Sequence, residues 1–149
     1  MRRTGAVRKG EHSPFDRARE TASVGDPVSQ AYDAMAELYA SLFLDDLDPQ
    51  TVRSLGRFAA IAGEHSGPVA DLGCGPGGVV NFLVDQGLTA FGTDLSPGQI
   101  EQARQAFPEL SFDVGDMTAT GFDRESLGGI VSKYSIIHLD PSSLSLIHI

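Results

Sequence analysis

Val69-Ala70-Asp71-Leu72-Gly73-Cys74-Gly75-Pro76-Gly77-Gly78 is the stretch on which the fold turns. With Pro68 before it, the run to Leu72 has the short, apolar texture of a buried strand. Gly73 to Gly78 is a glycine-rich turn. Val79 to Gln86 then reads as a helix closed by Gly87. Glycines at such a turn let the backbone take positive φ and let a ligand lie against the main chain. The helix that follows presents free N–H groups to it. Downstream, strands are expected at Thr89–Thr93, Leu110–Val114 and Gly129–Ser135. A helix runs from Ser96-Pro97 to about Phe107, and a loop covers Asp116 to Leu127. Strands alternating with helices predict βαβ units and a parallel sheet with right-handed crossovers. Upstream, Tyr32, Met35, Ala36, Tyr39 and Phe43 recur at helical spacing, which predicts one helix from Val28 to Phe43. Asp45 and Asp46 break it. Asp48 suits an N-cap and Pro49 a first turn, opening a second helix to Ala62 with Val52, Leu55, Phe58 and Ala59 on one side. The fold class is α/β: a Rossmann-like three-layer sandwich preceded by N-terminal helices.

Two ligand classes use this geometry. Gly73, Gly75 and Gly78 match the G-x-G-x-x-G of a dinucleotide fold, and Asp94 falls 21 residues after Gly73, at the end of the next strand. An acid there grips ribose hydroxyls in either class. Asp71 separates the two. A carboxylate two residues before the first glycine would repel a pyrophosphate and favour a ligand with positive groups. S-adenosylmethionine has an ammonium and a sulfonium and no phosphate. Charge therefore favours it, and an NAD(P)-binding, dehydrogenase-like domain is the alternative.

At this point the chain resembles a known family. Val69-Ala-Asp-Leu-Gly-Cys-Gly-Pro-Gly77 looks like the first motif of the class I S-adenosylmethionine-dependent methyltransferases, with Asp71, Gly73, Cys74, Gly75 and Gly77 in it. Gly92-Thr-Asp-Leu-Ser96 is similar to the second motif, which puts Asp94 and Leu95 at the ribose. Gly115-Asp116-Met117 is similar to the third; there the resemblance implies that Asp116 contacts the adenine amino group and Met117 packs on the ring. Ile130 to Leu139 is similar to the fourth-strand region, and the whole likeness runs from about Gln30 to Leu139. It further implies a helix bearing Tyr32 and Tyr39 over the cofactor, with core packing as the competing reading of those tyrosines. Cys74 is expected to offer its backbone rather than its thiol. The implied strand order begins 3-2-1-4.

Methyl transfer from a sulfonium is a direct displacement, so the protein must align the reacting atoms and exclude water. A base is needed only for a protonated acceptor. His138, just past the fourth strand, is the candidate, against a merely structural histidine; Tyr134 and Ser135 are expected to line the same pocket. No metal-ligand cluster is legible. The chain carries a net charge of −9, yet residues 1–20 hold six basic and three acidic groups, so the remainder is more acidic still. Such a body repels phosphate backbones, which points to a small-molecule acceptor and away from nucleic acid. Residues 1–26 are expected to form a disordered basic tail, and 27–149 the cofactor-binding domain. One cysteine forbids an intrachain disulfide, and there is no apolar run of bilayer length and no secretory signal, so cytoplasm is the expected location and no membrane partner is foreseen. The family builds seven strands, whereas strands for four are legible here and Ser142–Ile149 lacks the pattern of the next helix. An incomplete domain at the C-terminus, hence a truncated and non-catalytic cofactor-binding module, is the other alternative.

Overall fold

The computed structural model describes residues 27–44 and 47–139. The proposed tail 1–26, the breaker pair Asp45-Asp46 and the segment after Leu139 lie outside the described residues. The elements run α1 (Pro27–Ala34), α2 (Ala36–Phe43), α3 (Pro49–Ala62), β1 (Val69–Leu72), α4 (Gly78–Asp85), β2 (Ala90–Asp94), α5 (Pro97–Ala106), β3 (Ser111–Val114) and β4 (Gly129–Val131), then a 3-10 turn at Ile136–His138.

Among the described residues the four strands form one parallel sheet in the order β3-β2-β1-β4. β1 is central and all four of its residues are buried, as are the first four of β2. Strands covered on both faces read as continuous apolar runs, which is why Val69–Leu72 lacks polar alternation. On one face Leu55, Ala59 and Ala62 of α3, Val80 and Leu83 of α4, and Ile100 and Ala103 of α5 pack with Val69 and Phe112. On the other face Ala70, Leu72 and Phe91 are covered by Met117, Phe122 and Leu127 from the loop after β3, with Ile130. Register places Leu72 beside Thr93 and Asp94 beside Val114, so β1, β2 and β3 end together and their carboxyl ends form one rim.

Helix starts follow the sequence. Asp48 caps α3 by accepting from the Gln50 and Thr51 N–H groups at 2.9 and 3.0 Å, and Ser96 caps α5 through Gln99 N–H at 3.1 Å. The outer strand β3 has its Phe112 carbonyl covered by Arg104, whose Nη2 donates at 2.7 Å. A side chain on the edge blunts it against pairing with another chain.

Two expectations need correction. The single helix Val28–Phe43 is two helices, because Met35 leaves helical geometry at φ −113°, ψ 7°. The fourth strand stops at Val131 instead of Ser135. Only Gly129 to Val131 pair with β1, and the chain then turns at Tyr134, whose φ is +60°. Ser132 and Ser135 hold that turn by donating to the Leu72 carbonyl at 3.1 and 2.7 Å. Among the described residues no helix is long and apolar enough to cross a membrane.

Candidate functional site

A cavity enclosing about 830 Å³ of empty space, part of it open solvent, lies over the carboxyl ends of the strands. Ligands of open α/β sheets bind at that position. Gly73 and Gly75 floor it, after β1. Asp94, Leu95, Ser96 and Gln99 come from the β2–α5 junction, Gly115, Asp116 and Met117 from the end of β3, and Lys133, Tyr134, Ser135 and Leu139 from the segment after β4. Val28, Ser29 and Tyr32 of α1 and Tyr39 of α2 form its roof.

Asp94 organises the floor. Its Oδ2 accepts from Gly75 N–H at 2.9 Å and its Oδ1 from Ser96 N–H at 2.9 Å. The glycine loop and the start of α5 are thus clamped on one carboxylate. Burial raises the Asp94 pKa above the ordinary carboxylate value, against the lowering effect of those two N–H groups, and Asp33 adds to the rise. Gly73, at φ +77°, has no room for a side chain, since a Cβ would run into Ser135. Gly75, at φ +53°, needs glycine for its backbone rather than for space.

Asp116 accepts from Thr118 N–H at 2.8 Å and from Thr118 Oγ1 at 2.7 Å, both through Oδ1. It therefore pins its own turn with one oxygen while lining the cavity. Tyr32 and Tyr39 meet edge to face with centroids 5.7 Å apart. They pack on each other and line the cavity at once, so the two readings of these residues are compatible. Burial, Tyr32 and Asp94 raise the Tyr39 pKa, in that order.

Three residues expected at the ligand do not line the cavity. Asp71 is 2% exposed, one layer below the floor. Its Oδ1 has no hydrogen-bond partner, and burial, with the Asp94 charge adding, pushes its pKa up to about 7. Cys74 turns its side chain down against β2, where a Cβ on Gly92 would stand 2.6 Å from Sγ. Burial, with Asp94 and Asp71 nearby, holds that thiol well above its ordinary range. Gly77, at φ +92°, starts α4 at the point where a Cβ would stand 2.7 Å from the Phe112 ring, so its place in the fold is close helix–sheet packing. The backbone of His138 closes the 3-10 turn, and its side chain lies outside what is described.

Lys133 and Gln99 are among the cavity residues that a sequence reading does not single out. Lys133 is the one cation among the described lining residues, and its Nζ lies 5.2 Å from the Tyr134 ring centroid. Gln99 is 1% exposed, yet neither Nε2 nor Oε1 has a hydrogen-bond partner. A buried amide with both ends unpaired is costly unless something polar meets it. The signal was available in principle: position 99 is three residues past the Ser96 cap, in the first turn of a helix that faces the strand ends.

The comparisons agree on family and fold. A family model described as a methyltransferase domain matches residues 69–148, more than half of the chain. Trans-aconitate 2-methyltransferase of Methylobacterium nodulans is 32% identical over 87 residues, 57% of this chain and 34% of that protein. Demethylmenaquinone methyltransferase of Beutenbergia cavernae is 27% identical over 127 residues, 85% of this chain and 50% of that protein. Among solved structures, magnesium protoporphyrin IX methyltransferase from Synechocystis PCC 6803 with bound S-adenosylmethionine superposes with a TM-score of 0.61 at 20% identity. That match covers 80% of this chain and 66% of the other. The chain spans half or less of the length of these two sequence relatives.

Proposed function

The chain belongs to the methyltransferase-domain family, and from that premise we propose that its cavity binds S-adenosylmethionine and serves methyl transfer to a small-molecule acceptor. The observation that carries this reading is the charge of the site. Asp94 and Asp116 line it and Asp71 lies just beneath, against the single cation Lys133 among the described lining residues. A dinucleotide would bring two phosphates into that acidic surrounding, whereas a sulfonium and an ammonium are favoured by it.

The residues present fit the group. Asp94, already clamped on Gly75 and Ser96, keeps lone pairs on both oxygens to accept from two ribose hydroxyls. The unpaired amide of Gln99 offers a donor and an acceptor beside it. Asp116 accepts from the adenine amino group and Met117 packs against the ring. Leu95 flanks the ribose, and the Gly73–Gly75 turn lies toward the methionyl end, held there by its N–H groups donating to the Thr93 carbonyl and to Asp94. Tyr32 and Tyr39 keep water out from above, with Tyr134 and Ser135 toward the acceptor. Bound, S-adenosylmethionine supplies an activated methyl group with a neutral leaving sulfide. His138 is the proposed base for an acceptor that must lose a proton, because the turn that carries it adjoins Leu139 at the cavity wall.

The relatives named for trans-aconitate and demethylmenaquinone act on small molecules, and the net charge of −9 disfavours nucleic acid. Both support a small-molecule acceptor. A cytoplasmic location and the absence of a membrane partner belong to the same proposal. Calorimetric titration of the chain with S-adenosylhomocysteine and then with NAD tests it. Binding of the first and not the second is expected; preference for NAD would replace this reading by the dehydrogenase-like one.

A further inference from the structure

Asp33 lies on α1, 63 residues from Ser96, yet it is joined to the first turn of α5. Its Oδ1 accepts from Ser96 Oγ at 2.5 Å and from Gly98 N–H at 2.8 Å. A third bond runs in parallel, Ser29 Oγ donating to the Leu95 carbonyl at 3.0 Å. The approach is close because position 98 is glycine: a Cβ there would stand 3.0 Å from Asp33 Oδ1 and 3.2 Å from the Ala36 methyl. Ser96, 1% exposed, is a relay. Its Oγ donates to Asp33 and accepts from Gln99 N–H at 3.1 Å, while its own N–H donates to Asp94. One carboxylate on α1 therefore fixes the hydroxyl that meets Gln99 N–H, on the same residue whose backbone N–H holds Asp94. Gln99 is the residue whose buried amide has no partner, and it lines the cavity; Asp33 itself does not.

We propose that Asp33 is a positioning residue for the ligand in this cavity: through Ser96 and Gly98 it aims the Gln99 amide at the ligand and holds α1 closed above it. The inference rests on the cavity being the S-adenosylmethionine site. It goes further in assigning a function to a side chain that never meets the ligand. A hydrogen-bonded relay of this kind locks the rotamers that present the binding groups, and loosening it lowers affinity without removing a contact.

The test is calorimetry of the 149-residue chain with S-adenosylhomocysteine as the probe, on wild type, Asp33→Ala, Asp33→Asn, Gln99→Ala and the double variant Asp33→Ala/Gln99→Ala. Asp33→Ala should raise Kd about tenfold, the loss of charge-assisted bonds acting at one remove. Asn keeps an oxygen able to accept from both Ser96 and Gly98, so Asp33→Asn should stay within about threefold of wild type. If Asp33 acts through Gln99, the two losses are not additive, and in the Gln99→Ala background Asp33→Ala should cost less than about threefold. Full additivity, an unchanged Kd for Asp33→Ala, or an Asn variant no better than Ala would each overturn the inference while leaving the cofactor reading intact. A wild-type chain that does not bind S-adenosylhomocysteine would overturn that reading and this inference together.

Discussion

Acidic side chains carry most of the account at the scale of single residues. Replacing Asp94 by alanine should weaken S-adenosylhomocysteine binding by on the order of 1.5–3 kcal/mol per bond at most, and calorimetry reads it directly. Asp71 makes a separate prediction about pH. Its ordinary value is 3.8 and burial takes it to about 7. Between those values the folded protein binds a proton that the unfolded chain has lost. The contribution to stability is therefore full below about pH 4 and is lost as pH rises through about 7, by on the order of a few kcal/mol. Urea unfolding should give a higher midpoint at pH 5 than at pH 8. A ligand bearing net positive charge favours the ionised form, so S-adenosylmethionine, with its sulfonium, should bind more tightly at pH 8 than at pH 5. It should also release protons, seen as a heat that differs between buffers of unlike ionisation enthalpy. Asp71→Asn should flatten both profiles. The sequence told where these acids sit along the strands. It could not tell that Asp71 lies under the floor, because a strand end between two covered faces gives no polar alternation to read. Gln99 was missed for a related reason: a glutamine in a polar helix reads as solvent-facing until its first turn is seen against Gly75.

Elements whose ends are marked by side-chain chemistry were legible; those that end by packing were not. Asp48-Pro49 and Ser96-Pro97 announce α3 and α5, and the structure starts both helices there. Nothing in Ala34-Met35-Ala36 signals a break, yet α1 and α2 part at Met35. The sequence reading carried β4 on to Ser135, but the chain turns at Tyr134 in the left-handed region, a residue that does not advertise a turn. Gly77 shows how a motif glycine can serve the element rather than the ligand. Gly77→Ala would force a Cβ at φ +92° into the Phe112 ring. The expected cost is roughly 1–3 kcal/mol in thermal or urea unfolding. S-adenosylhomocysteine affinity, measured well below the new melting temperature, should change little. A large loss of affinity with unchanged stability would return Gly77 to the ligand.

At the scale of the whole molecule, the parallel sheet gathers residues from four separate stretches of sequence at one rim, and the α1–α2 pair roofs them. The motif positions were readable because each motif is tied to a strand end, and strand ends in βαβ units fall on one side; the sheet order came from the resemblance. The roof was readable only through the resemblance, since nothing in a helix pattern says which neighbour it covers. The most direct measurement is a crystal structure of the 149-residue chain grown with S-adenosylhomocysteine. The nucleoside is expected in this cavity, with both ribose hydroxyls within about 3 Å of the Asp94 carboxylate and the Gln99 amide hydrogen-bonded. A ligand lodged elsewhere, or one in the cavity that leaves Asp94 and Gln99 untouched, would contradict that expectation.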